Sequence, residues 1–194
     1  MQLVLAPAIV VAVVFLSLCG ALVLTTLALR RPRTAPLLVA GGLVTLCVVL
    51  VAVTPWGVPP LPAAVLALLA VALSVVGGNP VVRWVLTVAD GGRTPGGPHG
   101  GILVELMTET PTSAPRQEEI LRGGTTIGYL ERLAAVLSII AGVPAAVAVV
   151  VALKGIGRFT ELATPAARER FIVGTMASLL WACAVAAIVP LAVR

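Results

Sequence analysis

Residues 127–153 read IGYLERLAAVLSIIAGVPAAVAVVVAL, and the path of this run decides how often the chain crosses a membrane. At ~1.5 Å per residue it is long enough as one helix to bridge the ~30 Å hydrocarbon of a bilayer. The simpler reading is therefore a span kinked at Pro144, where the ring removes a hydrogen bond. The alternative is a re-entrant segment that breaks at Gly142-Val143-Pro144 and returns to the side it came from.

The composition around this run favours lipid as solvent. Hydrophobic residues make up 59% of the 194 and charged residues 11%, against about 25% charged in a soluble domain. Mean hydropathy is +1.12. These values predict an all-α polytopic bundle of about five spans, covering 3–29, 37–53, 63–76, 127–153 and 171–193, as one domain with no room for a soluble one. The first run has no basic residues before it and is longer than a signal-peptide core, so it reads as a retained span. The abundance of Ala, Val, Gly, Pro and Arg, with a single lysine and a single asparagine, suggests a GC-rich bacterial genome.

Between spans, Gly77-Gly78-Asn79-Pro80 reads as a helix stop and restart, with Asn79 as N-cap and Pro80 at the first helical position. Residues 80–89 then form a short interfacial helix with Trp84 at headgroup depth. Residues 90–124, rich in Gly and Pro, read as a mobile loop with a turn of structure near 102–107. The net charge of +5 resides in loops beside apolar runs, where anionic lipid accounts for it better than nucleic acid. If short loops alternate sides, the positive-inside bias puts the amino terminus outside and the carboxyl terminus in the cytoplasm.

Two polar features stand out. Arg122, Gly123, Gly124, Gly128, Glu131 and Arg132 precede or open the fourth span. Exposed N–H groups at such a helix start, reinforced by arginine, form a candidate contact for an anion, a lipid headgroup or a partner. Lys154, Arg158, Glu161, Arg168, Glu169 and Arg170 form a charged hairpin. With 127–153 as one helix, Arg132 and Lys154 are ~33 Å apart along its axis, on opposite membrane faces. A third feature is a recurrence of small residues on the last two spans, including Ser138, Gly142, Gly174 and Ser178, which lets helices approach closely.

The only aspartate is Asp90 and the only histidine His99. Metal sites and most acid–base pairs need several such groups converging, so no metal, cofactor or catalytic residue is expected. Cys19, Cys47 and Cys183 fall in apolar runs and read as packing residues.

At GGTTIGYLER, KGIGRFTEL and ERFIVGTMASLLWA the chain resembles an uncharacterised family of small bacterial polytopic integral membrane proteins. The resemblance is best over 121–182. It implies a multi-pass protein of the bacterial cytoplasmic membrane, and it brings no mechanism with it. The leading expectation is a non-catalytic scaffold or accessory subunit, with membrane lipids and a membrane-protein partner or a second copy as its contacts. The alternative is a small transporter of lipid or an anionic solute, and a membrane enzyme comes third.

Overall fold

The computed structural model describes residues 2–30, 33–91, 102–106, 116–120, 123–157 and 165–194. Among these, six helices form a bundle: α1 (Gln2–Arg30), α2 (Thr34–Val53), α3 (Pro60–Asp90), α4 (Gly124–Ile140), α5 (Ala146–Gly157) and α6 (Pro165–Val193). Four of them, α1, α2, α3 and α6, are long and apolar enough to cross a membrane. Each carries its own backbone hydrogen bonds, which lets such a segment exist in hydrocarbon.

The expected third span and interfacial helix are one element. Helix α3 runs unbroken from Pro60 to Asp90 and contains Pro80. The local restart signal loses to tertiary packing. A Cβ on Gly77 would come within 2.9 Å of the Trp181 ring, and one on Gly78 would collide with the Arg132 side chain. The two glycines thus make room for large side chains from α6 and α4. Trp181 donates to the carbonyl of Leu73 at 3.2 Å, and Arg132 donates to that of Val75 at 3.1 Å. These contacts offset the hydrogen bond that Pro80 removes. Beyond Pro80 the helix stays against α6, where Val82 and Leu86 face Gly174. Helix α3 ends at Gly91, whose left-handed backbone (φ 62°) lets its N–H reach the carbonyl of Thr87.

The expected fourth span is two helices, and the re-entrant alternative describes it. Ala141 caps α4, Gly142 takes φ 78°, and its N–H bonds the carbonyl of Ile139 at 3.1 Å. The next N–H, of Val143, reaches back to Ser138 at 2.8 Å. This pair of bonds is the Schellman helix stop, and a proline directly after it prevents resumption. Helix α5 then folds back along α4, bringing Lys154 to Glu131.

Helices α3 and α6 run antiparallel along their length. Gly174 meets Leu86 near one end, Trp181 meets Leu73 midway, and the N–H of Val58 bonds Ala192 at 2.7 Å at the other. Arg194 reaches the carbonyl of Ala52 at that same end. Pro7 and Val10 of α1 also line a small apolar cavity there, together with Val51, Trp56 and Ala192. Both ends of the described chain therefore lie at one end of the bundle. Four long helices plus a hairpin return the chain to the end where it began.

The core is a cluster from α1, α2, α3 and α6 in which small and branched side chains, including Leu18, Val44, Leu66, Leu73 and Ile188, pack with the indole of Trp181. Cys47 lies in it, with its thiol toward the carbonyl of Val14 at 3.9 Å. A satellite cluster of Ala135, Leu179 and Ala182 joins α4 to α6.

Within the expected loop at 90–124, two strands pair antiparallel, β1 (Ile102–Leu106) and β2 (Arg116–Ile120), with Ile102 opposite Ile120 and Leu106 opposite Arg116. The run ILVEL has the branched, apolar content that suits a strand better than a helical turn. Residues 92–101, 107–115 and 121–122 of that stretch, His99 included, lie outside the described residues.

Candidate functional site

Helix α4 begins at Gly124 after Gly123, whose φ of 78° falls in the left-handed region where a Cβ is strained. One turn in, Gly128 leaves space for the Arg132 guanidinium, since a Cβ there would lie 3.0 Å from Nη1. Arg132 is 1% exposed and is the largest fully buried side chain among the described residues.

Its fork is turned inward. Nε donates to the carbonyl of Val75, Nη1 to the hydroxyl of Ser178 at 3.0 Å, and Nη2 to Asn79 Oδ1 at 2.7 Å. The Tyr129 ring centroid lies 5.3 Å from Cζ. One side chain of α4 thus ties α3 to α6. Every acceptor in its hydrogen bonds is neutral, so dipoles and a ring face hold the fork directly, and the adjacent Glu131 carboxylate adds only a through-space attraction.

The carboxylate beside it serves another helix. Glu131 is 8% exposed, and its Oε2 lies 2.5 Å from Lys154 Nζ on α5. The ammonium also stands 5.6 Å from the Phe171 ring centroid of α6. Glu131 Oε1 has no hydrogen-bond partner, nor has the buried hydroxyl of Thr175. Phe171, Thr175, Ser178 and Ala182 recur at helical spacing on α6. Three of the four touch α4 or α5 groups, so Thr175 sits on the same face, between the lysine and arginine levels.

The expected site residues are therefore regrouped. Glu131, Arg132 and Lys154 come together, whereas Lys154 was expected on the opposite face. The error lies in preferring one continuous helix, kinked at Pro144, to the re-entrant alternative. Arg132, expected to reinforce an anion at the glycine-rich helix start, is instead used up inside the bundle. Arg168, Glu169 and Arg170 lie in the opening turns of α6, the first two exposed and the third half-buried. Arg122, Arg158 and Glu161 fall outside the described residues.

The packing stripe is split between roles. Ser178 binds the guanidinium, Gly174 admits Val82 and Leu86, and Gly142 makes the turn. Ser138 bonds its own helix at Ala134. Sequence reasoning did not single out Asn79 as the arginine's partner, nor Val75, Tyr129 or Trp181. The available signal was Asn79 itself, a lone asparagine inside an apolar stretch, which finds its partner on another helix.

Comparison with known proteins finds no family model, curated protein or solved structure that matches this chain. Fold and site define a helical bundle with four helices able to cross a membrane and a two-helix hairpin held to them by a buried polar cluster.

Proposed function

We propose that this chain is a non-catalytic membrane scaffold or accessory subunit that presents the α4–α5 hairpin to other membrane components. The observation that carries this reading is how the charges are used. Arg132 spends its fork on Val75, Asn79 and Ser178, and Lys154 spends its ammonium on Glu131. Charge placed in hydrocarbon is costly, and here it fastens a hairpin rather than facing a ligand. Helix α5 has no buried residue, and Val149, Leu153 and Ile156 are 59%, 65% and 76% exposed.

Depth supports the same reading. Counting from the shared end of α3 and α6, Val75 and Ser178 each lie ~23 Å in. With the hydrocarbon boundary set at that end, both helices put the guanidinium within the ~30 Å thickness, toward its far edge. The resemblance to small bacterial membrane proteins and the basic composition favour the cytoplasmic membrane. Helices α1, α3 and α5 end, and α2, α4 and α6 begin, at one end of the bundle. All of the thirteen Lys and Arg except Arg194 therefore belong to that half of the molecule or to the connections leaving it. By the positive-inside rule this end faces the cytoplasm, and both chain ends face outward. Trp56 and Trp84 fall near the two boundaries, as interfacial aromatics do.

Purification in mild detergent tests the reading. A stoichiometric membrane-protein partner, or a defined multimer, supports a scaffold. Recovery of a monomer with a stoichiometric phospholipid or solute overturns it in favour of the transporter.

A further inference from the structure

Lys154 leaves part of its own binding site unfilled. Its ammonium lies 2.5 Å from Glu131 Oε2 and 5.6 Å from the Phe171 ring centroid. Glu131 Oε1 and the Thr175 hydroxyl are both out of solvent, and neither has a hydrogen-bond partner. Their residues are only 8% and 5% exposed. The two open oxygens belong to one place. Helices α4 and α6 run parallel, since Arg132 meets Ser178 and Ala135 packs with Leu179 and Ala182. Four residues back from Ala135 and Leu179 stand Glu131 and Thr175, so they are level and on the facing sides of the two helices. Phe171 is one turn further, where Lys154 closes the group from the α5 side.

A carboxylate, a hydroxyl oxygen and an aromatic face are the groups that hold a primary ammonium. They offer acceptors to its three N–H donors and a ring to its charge. Lys154 is tied to α5, and of these oxygens it reaches Oε2 alone. An ammonium without that tether can donate to Oε1 and Thr175 as well. Charge narrows the choice of ligand. Arg132 and Lys154 already exceed Glu131 by one positive charge, so an added metal cation is disfavoured. Exchanging one ammonium for another leaves the sum unchanged.

The present occupant is placed to leave. Helix α5 buries no residue, and its packing on Ala135, Leu179 and Ala182 comes from Val147 and Val151, which precede Lys154. After it, Gly155 and Gly157 have nothing within 4 Å of a Cβ position. The last turn of α5 can lift away without disturbing that packing, and the lysine carries its charge outward on a flexible stem. The way out is short, because Arg168 and Glu169 are exposed in the opening turn of α6, just before Phe171.

We infer that Glu131, Thr175 and Phe171 form a site for a primary ammonium group, which Lys154 occupies and an incoming amine takes by exchange. The ligand is a primary amine, either free or carried by a phospholipid headgroup, and its binding frees the end of α5. Such a ligand goes beyond the scaffold reading and does not depend on it. Because Lys154 competes, the amine exchanges and does not stay bound through purification.

The test uses the full chain in mild detergent, with the unfolding midpoint followed as ethanolamine is added. Choline at the same ionic strength is the control, since its ammonium has no N–H. Ethanolamine is expected to raise the midpoint saturably, as a ligand of the folded state does, and choline is not. Lys154→Ala removes the internal competitor, so its half-saturating ethanolamine concentration is expected to fall several-fold. In Thr175→Val the same concentration is expected to rise several-fold. Dihexanoyl phosphatidylethanolamine, set against dihexanoyl phosphatidylcholine, separates the two sources. Half-saturation well below that of ethanolamine assigns the lipid headgroup, and equal values assign the free amine. Choline as effective as ethanolamine overturns the inference, because bulk charge then accounts for the shift. An ethanolamine response unchanged in Thr175→Val overturns it as well, even where Lys154→Ala does not fold. Whether a partner co-purifies decides the scaffold reading separately.

Discussion

Lys154 Nζ lies 2.5 Å from Glu131 Oε2, so α5 is folded back on α4 rather than continuing it. With side chains only 16% and 9% exposed, the two charges form a largely buried pair, the carboxylate deeper than the ammonium. Such a pair differs from a surface salt bridge in what happens when it is broken.

Lys154→Met leaves the Glu131 carboxylate buried without its hydrogen-bonded counter-charge. Removing one partner of a buried pair costs about 3–5 kcal/mol, whereas replacing both by apolar residues of similar volume is often neutral or stabilising. Lys154→Met and Glu131→Leu are each expected to lower the unfolding midpoint in a detergent–denaturant titration. The double variant is expected to recover most of the loss. A double variant as unstable as the sum of the singles would mean the two side chains act separately.

Arg132 ties α3 and α6 through a planar fork, and lysine cannot reproduce that geometry with one nitrogen. Hydrogen bonds to a charged group contribute about 1.5–3 kcal/mol each. Arg132→Lys is expected to be destabilising by more than one such bond, measured by the same titration. Its glycine neighbours give a sign test. In an open helical position Gly→Ala gains up to about 1 kcal/mol. Gly41→Ala, with nothing within 4 Å, is expected to stabilise, and Gly78→Ala, which meets the Arg132 side chain, to destabilise.

The helices were legible because lipid solvent demands long apolar runs, and 2–30, 34–53 and 165–193 follow the expected spans closely. Two features were not. At Gly77–Pro80 the local signals for a stop are genuine, yet the same glycines accept Trp181 and Arg132, a long-range fact that local propensity does not carry. At Ala141–Ala145 the Gly-then-Pro order is the ordinary helix stop and raises the re-entrant alternative, but the unbroken apolarity on both sides favours a single span. With the run read as one continuous helix, the Glu131–Lys154 contact is out of reach. Arg132 was singled out as a polar residue, but its inward direction was invisible without Asn79 and Ser178.

Thr175 and Ser178 are neighbours on one face of α6 with opposite expectations. The hydroxyl of Ser178 accepts from Arg132 at 3.0 Å, while that of Thr175 is buried without a partner. An unsatisfied buried polar group costs about 1–3 kcal/mol, and replacing it by an apolar group of the same shape removes the cost. Thr175→Val is therefore expected to be neutral or stabilising, and Ser178→Ala destabilising. The two unfolding midpoints should move apart. A destabilised Thr175→Val would mean that the hydroxyl has an ordered water as partner, bridging toward Glu131 Oε1.

Sidedness separates the hairpin from a fifth crossing. Leu61, 80% exposed, stands at the start of α3, and Ile156, 76% exposed, near the end of α5. In a five-span chain an unbroken helix over 127–153 would carry Ile156 to the same membrane face as Leu61. In the hairpin the two lie at opposite ends of the bundle, because Lys154 returns to Glu131 near the start of α4. With cysteine at each position, an impermeant maleimide added to intact cells is expected to label Leu61→Cys but not Ile156→Cys. In inverted vesicles the pattern reverses. Both sites labelled from the same side would mean that α5 completes a crossing, and the buried pair could not exist.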